Sequence, residues 1–114
     1  MTVQEFYEYI GSDYNDVSHR FKNDSSIERF LKMFPVDPSY DRLCSALDAK
    51  DANTAFRAAH TLKGVSLNLG FSALYEAAFD MTEALRGGLL DGSDELIIPL
   101  RERYFRVMDG ISQL

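Results

Sequence analysis

Cysteine occurs once in these 114 residues, at Cys44, so the chain cannot close a disulfide on itself. A reducing compartment fits that usage. Long apolar runs are missing too. Leu96-Ile97-Ile98 is stopped by Pro99, far short of the roughly 18 residues a membrane-spanning helix needs. Basic residues are outnumbered, 12 Lys and Arg against 18 Asp and Glu, and they form no cluster, so there is no electrostatic footprint for nucleic acid. The net charge of −6 suits a protein partner with basic edges, but equally a merely solvated surface. There is no Walker-type glycine loop, no dinucleotide fingerprint and no Gly-x-Ser-x-Gly elbow. Any phosphate handled here therefore arrives on another molecule. The opening MTVQEFYEYIG lacks the basic start and apolar stretch of a secretory leader, so the cytoplasm is the expected compartment.

What is present is helical periodicity. With 46% hydrophobic and 26% charged residues, the composition is that of an ordinary globular chain, and residues 1–114 are expected to form one domain. Val3, Phe6, Tyr7 and Ile10 recur at helical spacing, and Gly11 is a natural stop. Ser12 or Asp13 is placed to cap a short segment carrying Tyr14, Val17 and Phe21. Ser25 with Glu28 is a capping-box pattern ahead of Ile27, Phe30, Leu31 and Phe34, and Pro35 ends that segment. Asp37-Pro38 reads as N-cap and first helical residue of a stripe formed by Tyr40, Leu43, Cys44 and Leu47. Asp51 and Gly70 bracket the next helix, with Gly70 in a left-handed closing position. Leu74, Ala78, Met81 and Leu85 follow, up to Gly87-Gly88. Ser93 is placed to cap a last helix through Ile97, Leu100, Tyr104, Val107 and Ile111, which Pro99 should kink or delay. No strand alternation appears. The expectation is an all-α, antiparallel four-helix bundle with additional short N-terminal helices, and a central hairpin around Gly70.

One residue stands apart from this packing pattern. In AFRAAHTLKGVSLNLG, the positions Ala55, Ala58, Leu62, Val65 and Leu69 share a face, and at about 100° per residue His60 falls opposite them. Lys63 and Gly64 flank it one turn on. A neutral imidazole offers a lone pair near neutral pH and serves as nucleophile, base or metal ligand. Its neighbours at one turn are Phe56, Arg57, Lys63 and Gly64, none of them a good zinc ligand. Ser66 lies toward the core, which argues against a hydrolase triad. Covalent capture of a phosphoryl group fits better. Gly64 removes the side chain that would block a bulky donor, and Lys63 offsets phosphoryl charge. Phe56 and Leu67 give an apolar docking rim. Glycine inside a helix costs about 1 kcal/mol relative to alanine, which invites a packing or functional reason.

The stretch Ala59-His60-Thr61-Leu62-Lys63-Gly64, followed by Asn68-Leu69-Gly70, resembles the signature of histidine-containing phosphotransfer (HPt) domains. The resemblance is strong over residues 51–87 and looser elsewhere. It implies a four-helix bundle whose histidine, His60 here, accepts a phosphoryl group from an aspartate of a response-regulator receiver domain and passes it to another. By the same resemblance Lys63 steadies the phosphoryl group and Gly64 opens the docking surface; Phe56, Arg57, Leu67 and Asn68, near them on the helix, are the further candidates for the docking area. The other ring nitrogen of His60 should donate a hydrogen bond. The chain would be a phosphocarrier rather than a kinase, without a cofactor of its own, the magnesium belonging to the receiver. Receiver domains, and a hybrid sensor histidine kinase that carries one, are the implied partners of a monomer. The alternative is a helical interaction module that docks a receiver without phosphoryl transfer. Val65 and Leu67 depart from the small residues usual after the family's glycine, and Leu67 is the one placed to crowd the site.

Outside the motif, His19 reads as a surface residue and Cys44 as a buried, inert thiol. Phe6, Tyr7, Tyr14, Phe30 and Phe34 read as core, some of them near enough to reach the His60 rim.

Overall fold

The computed structural model describes residues 1–114. Seven α-helices and no strand make up the chain: α1 Val3–Tyr9, α2 Tyr14–Ser18, α3 Asp24–Met33, α4 Ser39–Asp48, α5 Ala52–Leu69, α6 Ser72–Leu85 and α7 Ser93–Ser112, with a 3-10 turn at Phe34–Val36. Helices α4 to α7 pack in sequence, each against the next, and the fold is the expected all-α bundle. Stacked Tyr40 and Tyr104, with ring centroids 3.8 Å apart, join α4 to α7. The short N-terminal helices lie outside this layer, and α1 packs on α7, α2 and α3.

The apolar stripes meet in one core. Leu43 of α4, Leu62 of α5, Leu74, Met81 and Leu85 of α6 and Leu100 of α7 are all fully buried. Burying each such side chain contributes on the order of 1.5–3 kcal/mol. On α5 the small residues Ala55, Ala58 and Ala59 face inward and let its neighbours approach closely. Two contacts need glycine. A Cβ on Gly110 would lie 2.9 Å from the Phe6 ring, so α1 lies directly on the α7 backbone. Gly70 has φ +73°, and a Cβ there would meet Val17 at 2.1 Å.

The closure of α5 follows from that conformation. The Gly70 and Phe71 N–H groups donate to the Leu67 and Ser66 carbonyls, a Schellman arrangement that satisfies two end carbonyls. The N-terminal helices complete the seal. Buried Tyr7 donates its hydroxyl to the Leu69 carbonyl at 2.7 Å, and Arg20 reaches the Leu67 carbonyl at 3.2 Å.

Several local expectations are corrected. Asn23, not the Ser25–Glu28 box, caps α3, because its side chain already accepts from the Ser26 N–H two residues earlier. Of the two caps expected for α2, Asp13 is the one used, while the Ser12 hydroxyl accepts from the Ser72 N–H and so caps α6 across the fold. Phe21 lies beyond the end of α2. Asp37 does accept from the Ser39 N–H, but the first intrahelical bond of α4 runs to the Pro38 carbonyl, so the helix starts one residue later. Ser93 opens α7 instead of capping it; its hydroxyl donates to the Leu90 carbonyl, and left-handed Gly92 takes the cap position. Pro99 lies inside α7 without delaying its start. Cys44 is half-buried rather than buried, and Phe30 is exposed.

Candidate functional site

Asp51 starts the helix that carries the site. Its carboxylate accepts from the Thr54 N–H at 3.1 Å and the Thr54 hydroxyl at 2.6 Å, and these bonds hold its carboxyl below the usual range. From that cap α5 runs without interruption to Gly70, so its outward residues keep strict helical register. His60 is exposed. Its imidazole stacks on Phe56, one turn earlier, with ring centroids 6.1 Å apart and planes 9° from parallel. No group of this chain accepts a hydrogen bond from the ring, so the acceptor expected for its second nitrogen is not an internal one. Beside it, Gly64 is exposed, has no left-handed backbone, and would meet nothing within 4 Å if given a Cβ. The fold therefore supplies no packing reason for this glycine.

Lys63 departs from expectation. It is half-buried, and its ammonium lies 5.5 Å from the ring centroid of Phe79 on α6 instead of standing free in solvent. Arg57 is exposed, with one guanidinium nitrogen 3.4 Å from the Thr54 hydroxyl. Leu67 is 52% exposed but stands two turns beyond His60, about 10 Å along the axis at 1.5 Å per residue, so it does not crowd the imidazole. Exposed Asn68 belongs to a different feature, an apolar groove of about 640 Å³ between Phe21, Phe30 and Met33 on one side and Val65, Asn68 and Leu69 on the other. The structure thus brings together His60, Phe56 and Gly64, with Lys63 at their edge. It does not bring Leu67 or Asn68 to the imidazole.

Helix α6 contributes a second wall that the α5 pattern does not reveal. Arg86 places its guanidinium 5.2 Å from the Phe56 ring centroid and is held by Glu83 at 2.7 and 3.2 Å. The Arg86 guanidinium, with Lys63 behind it, keeps the Glu83 carboxyl below the usual range. A signal for this wall existed. Phe79 and Glu83 lie on the α6 face away from the Leu74–Ala78–Met81–Leu85 stripe, Arg86 follows as the residue that caps the helix, and an aromatic residue off a stripe is informative. His19 is exposed, as expected, with Nδ1 2.5 Å from the Asn15 carbonyl. No three His, Cys, Asp or Glu side chains converge on a point that could hold a metal ion.

The chain is thus a helical bundle with an exposed histidine and a bare glycine on the outward face of its central hairpin. The Hpt domain family model matches residues 28–110, well over half of the chain, and the chain belongs to that family. No curated protein and no solved structure matches it. Hpt domains are phosphotransfer modules, not kinases, and work with receiver domains in phosphorelays; membership gives this chain a phosphotransfer role. No helix is long and apolar enough to cross a membrane.

Proposed function

We propose that His60 is the phosphoryl acceptor of a cytoplasmic, monomeric phosphocarrier. An imidazole nitrogen, the outer one, attacks the phosphorus of a receiver's aspartyl phosphate in line with the bond that breaks. The N–P bond forms, the P–O bond breaks, and its electron pair leaves on the aspartate carboxylate. The aspartate of a second receiver reverses the sequence, taking the phosphoryl group and restoring the imidazole. The receiver, which a hybrid sensor kinase can also supply, brings the magnesium; this chain brings no cofactor.

The observation that carries this reading is Gly64. Beside an exposed imidazole the helix keeps a residue that weakens it and that no neighbour requires. A docking surface explains the bare backbone, because a receiver must bring its buried acyl phosphate to within bonding distance of His60. Lys63 answers the charge of the phosphoryl oxygens by leaving Phe79, a short swing of a flexible side chain. Phe56 and Arg57 lie inside the same footprint, while Leu67 and Asn68 fall at its far margin.

The test is transfer from an isolated receiver domain charged with acetyl phosphate and Mg²⁺. The wild-type chain should become labelled, the label stable to base and labile to acid. His60→Gln should remain folded, since the side chain is exposed, and take up no label. Absence of such label on the wild type across receivers of the source organism overturns the proposal and leaves a docking module.

A further inference from the structure

Arg86 ends α6 and, in the sequence, looks like an ordinary helix-terminal cation. Its surroundings are more specific. Glu83 holds it through two hydrogen bonds, at 2.7 Å to Nε and 3.2 Å to a terminal nitrogen, a fork geometry that fixes the plane of the guanidinium as well as its position. The fixed group lies 5.2 Å from the centroid of Phe56, and the Phe56 ring runs parallel to the imidazole of His60. Four side chains from two helices form one chain of contact, Glu83 to Arg86 to Phe56 to His60.

We propose that Arg86 is a positioning residue for His60, acting through Phe56: the guanidinium braces the phenyl ring, and the phenyl ring sets the plane of the imidazole. This inference rests on the phosphocarrier reading. An exposed side chain on a helix otherwise exchanges rotamers in picoseconds to nanoseconds. An imidazole that must present its lone pair along the axis of a breaking P–O bond gains rate from having fewer orientations to search. Phe56 alone is only half-buried and reaches the imidazole from its own helix. The cross-helix brace ties the ring to α6, and so to the rigid α5–α6 hairpin. The arrangement is not core packing: Glu83 and Arg86 are both exposed, so their loss should leave the bundle intact.

Three variants test this: Arg86→Ala, Glu83→Gln and Phe56→Leu. The first readout is the proton–carbon NMR spectrum of the imidazoles, with His19 as internal reference. Arg86→Ala should move the His60 ring resonances, Glu83→Gln should move them in the same direction by less, and His19 should not move. The second readout is transfer from the receiver domain charged with acetyl phosphate and Mg²⁺. Arg86→Ala should lower the maximal rate by about three- to tenfold at an unchanged half-saturating receiver concentration. Phe56→Leu should lower the maximal rate to a similar extent, with a higher half-saturating concentration as well because Phe56 lies in the docking footprint, and Arg86→Ala/Phe56→Leu should lose no more maximal rate than either single variant. Unmoved His60 resonances in Arg86→Ala overturn the proposal. So does a loss that appears only as a higher half-saturating concentration, which would make Arg86 a docking contact, or additive losses in the double variant. If the wild-type chain accepts no phosphoryl group at all, the phosphocarrier reading fails, and the NMR arm decides by itself whether Arg86 sets the imidazole.

Discussion

The two glycines of the α5 segment serve opposite ends. Gly70 is buried, has φ +73°, and lies so close to Val17 that a Cβ would sit 2.1 Å from it. Around it the helix end is sealed by the Phe71 N–H, the Tyr7 hydroxyl and the Arg20 guanidinium. Gly64 is exposed, has ordinary helical backbone, and faces open space. The first glycine is required by the fold, and replacing it must disturb structure. The second weakens the helix and meets no neighbour that requires it, and under the proposed function its reason is the docking of a partner. One helix is thus divided into an end locked by packing and a middle left bare.

The largest effect that can break this contrast is at the locked end. Gly70→Ala places a Cβ in the left-handed region and drives it into Val17. Strain of that kind costs about 1–3 kcal/mol and overpacking about as much again, so a total loss of about 2–6 kcal/mol is expected in urea unfolding. The α2 contacts should loosen first, which hydrogen exchange at Val17 and Arg20 would report. A variant as stable as the wild type would remove the distinction between the two glycines.

Tyr7→Phe probes the same seal more gently. It removes a buried hydroxyl that donates to the Leu69 carbonyl and leaves that carbonyl short of a partner, a loss of about 1–2 kcal/mol. It also changes the alkaline limb. Burial raises the Tyr7 phenol well above its ordinary value of about 10, so the folded chain holds this proton more tightly than the unfolded chain does. The stability from this group is therefore fully present below about pH 10 and is lost as pH rises toward the folded value. Thermal midpoints measured from pH 9 to 12 should fall less steeply in Tyr7→Phe than in the wild type.

These two regions were not equally legible in the sequence. The Asp51 cap, the Gly70 closure, the inward stripes of α6 and α7 and the outward turn of His60 all follow from helical spacing and hold in the structure. Spacing within one helix does not say how the neighbouring helix is rotated. Hence the α6 wall of Phe79, Glu83 and Arg86 goes unseen from α5, and Lys63 is assigned to solvent when its ammonium rests on Phe79. The Asn23 side chain accepts from the Ser26 N–H, so α3 begins at Asp24 and Ser25 lies inside its first turn, where the Ser25–Glu28 box has no helix end to cap. Leu67 shares a wheel direction with His60, but a wheel discards height, and two turns of rise separate them. The seal by Tyr7, Val17 and Arg20 joins residues far apart in the chain and has no local signature at all.

The smallest effect is the most discriminating. Gly64→Ala meets nothing within 4 Å and keeps the helical backbone, so it should stabilise the chain, by up to about 1 kcal/mol, through better helix propensity and a less flexible unfolded state. Under the proposed phosphocarrier role, a methyl group at that position would nonetheless stand on the surface that a receiver covers to reach His60. Transfer efficiency from a charged receiver should therefore fall by about three- to tenfold, mainly through a higher half-saturating receiver concentration. The two changes have opposite signs, so no general loss of folding can imitate them. Gly70→Ala should lose stability, and any loss of transfer there should follow the unfolded fraction. A Gly64→Ala chain that is more stable and transfers as well as the wild type would mean that the bare backbone beside His60 is not part of the docking surface, and the glycine would lose the one reason the fold leaves for it.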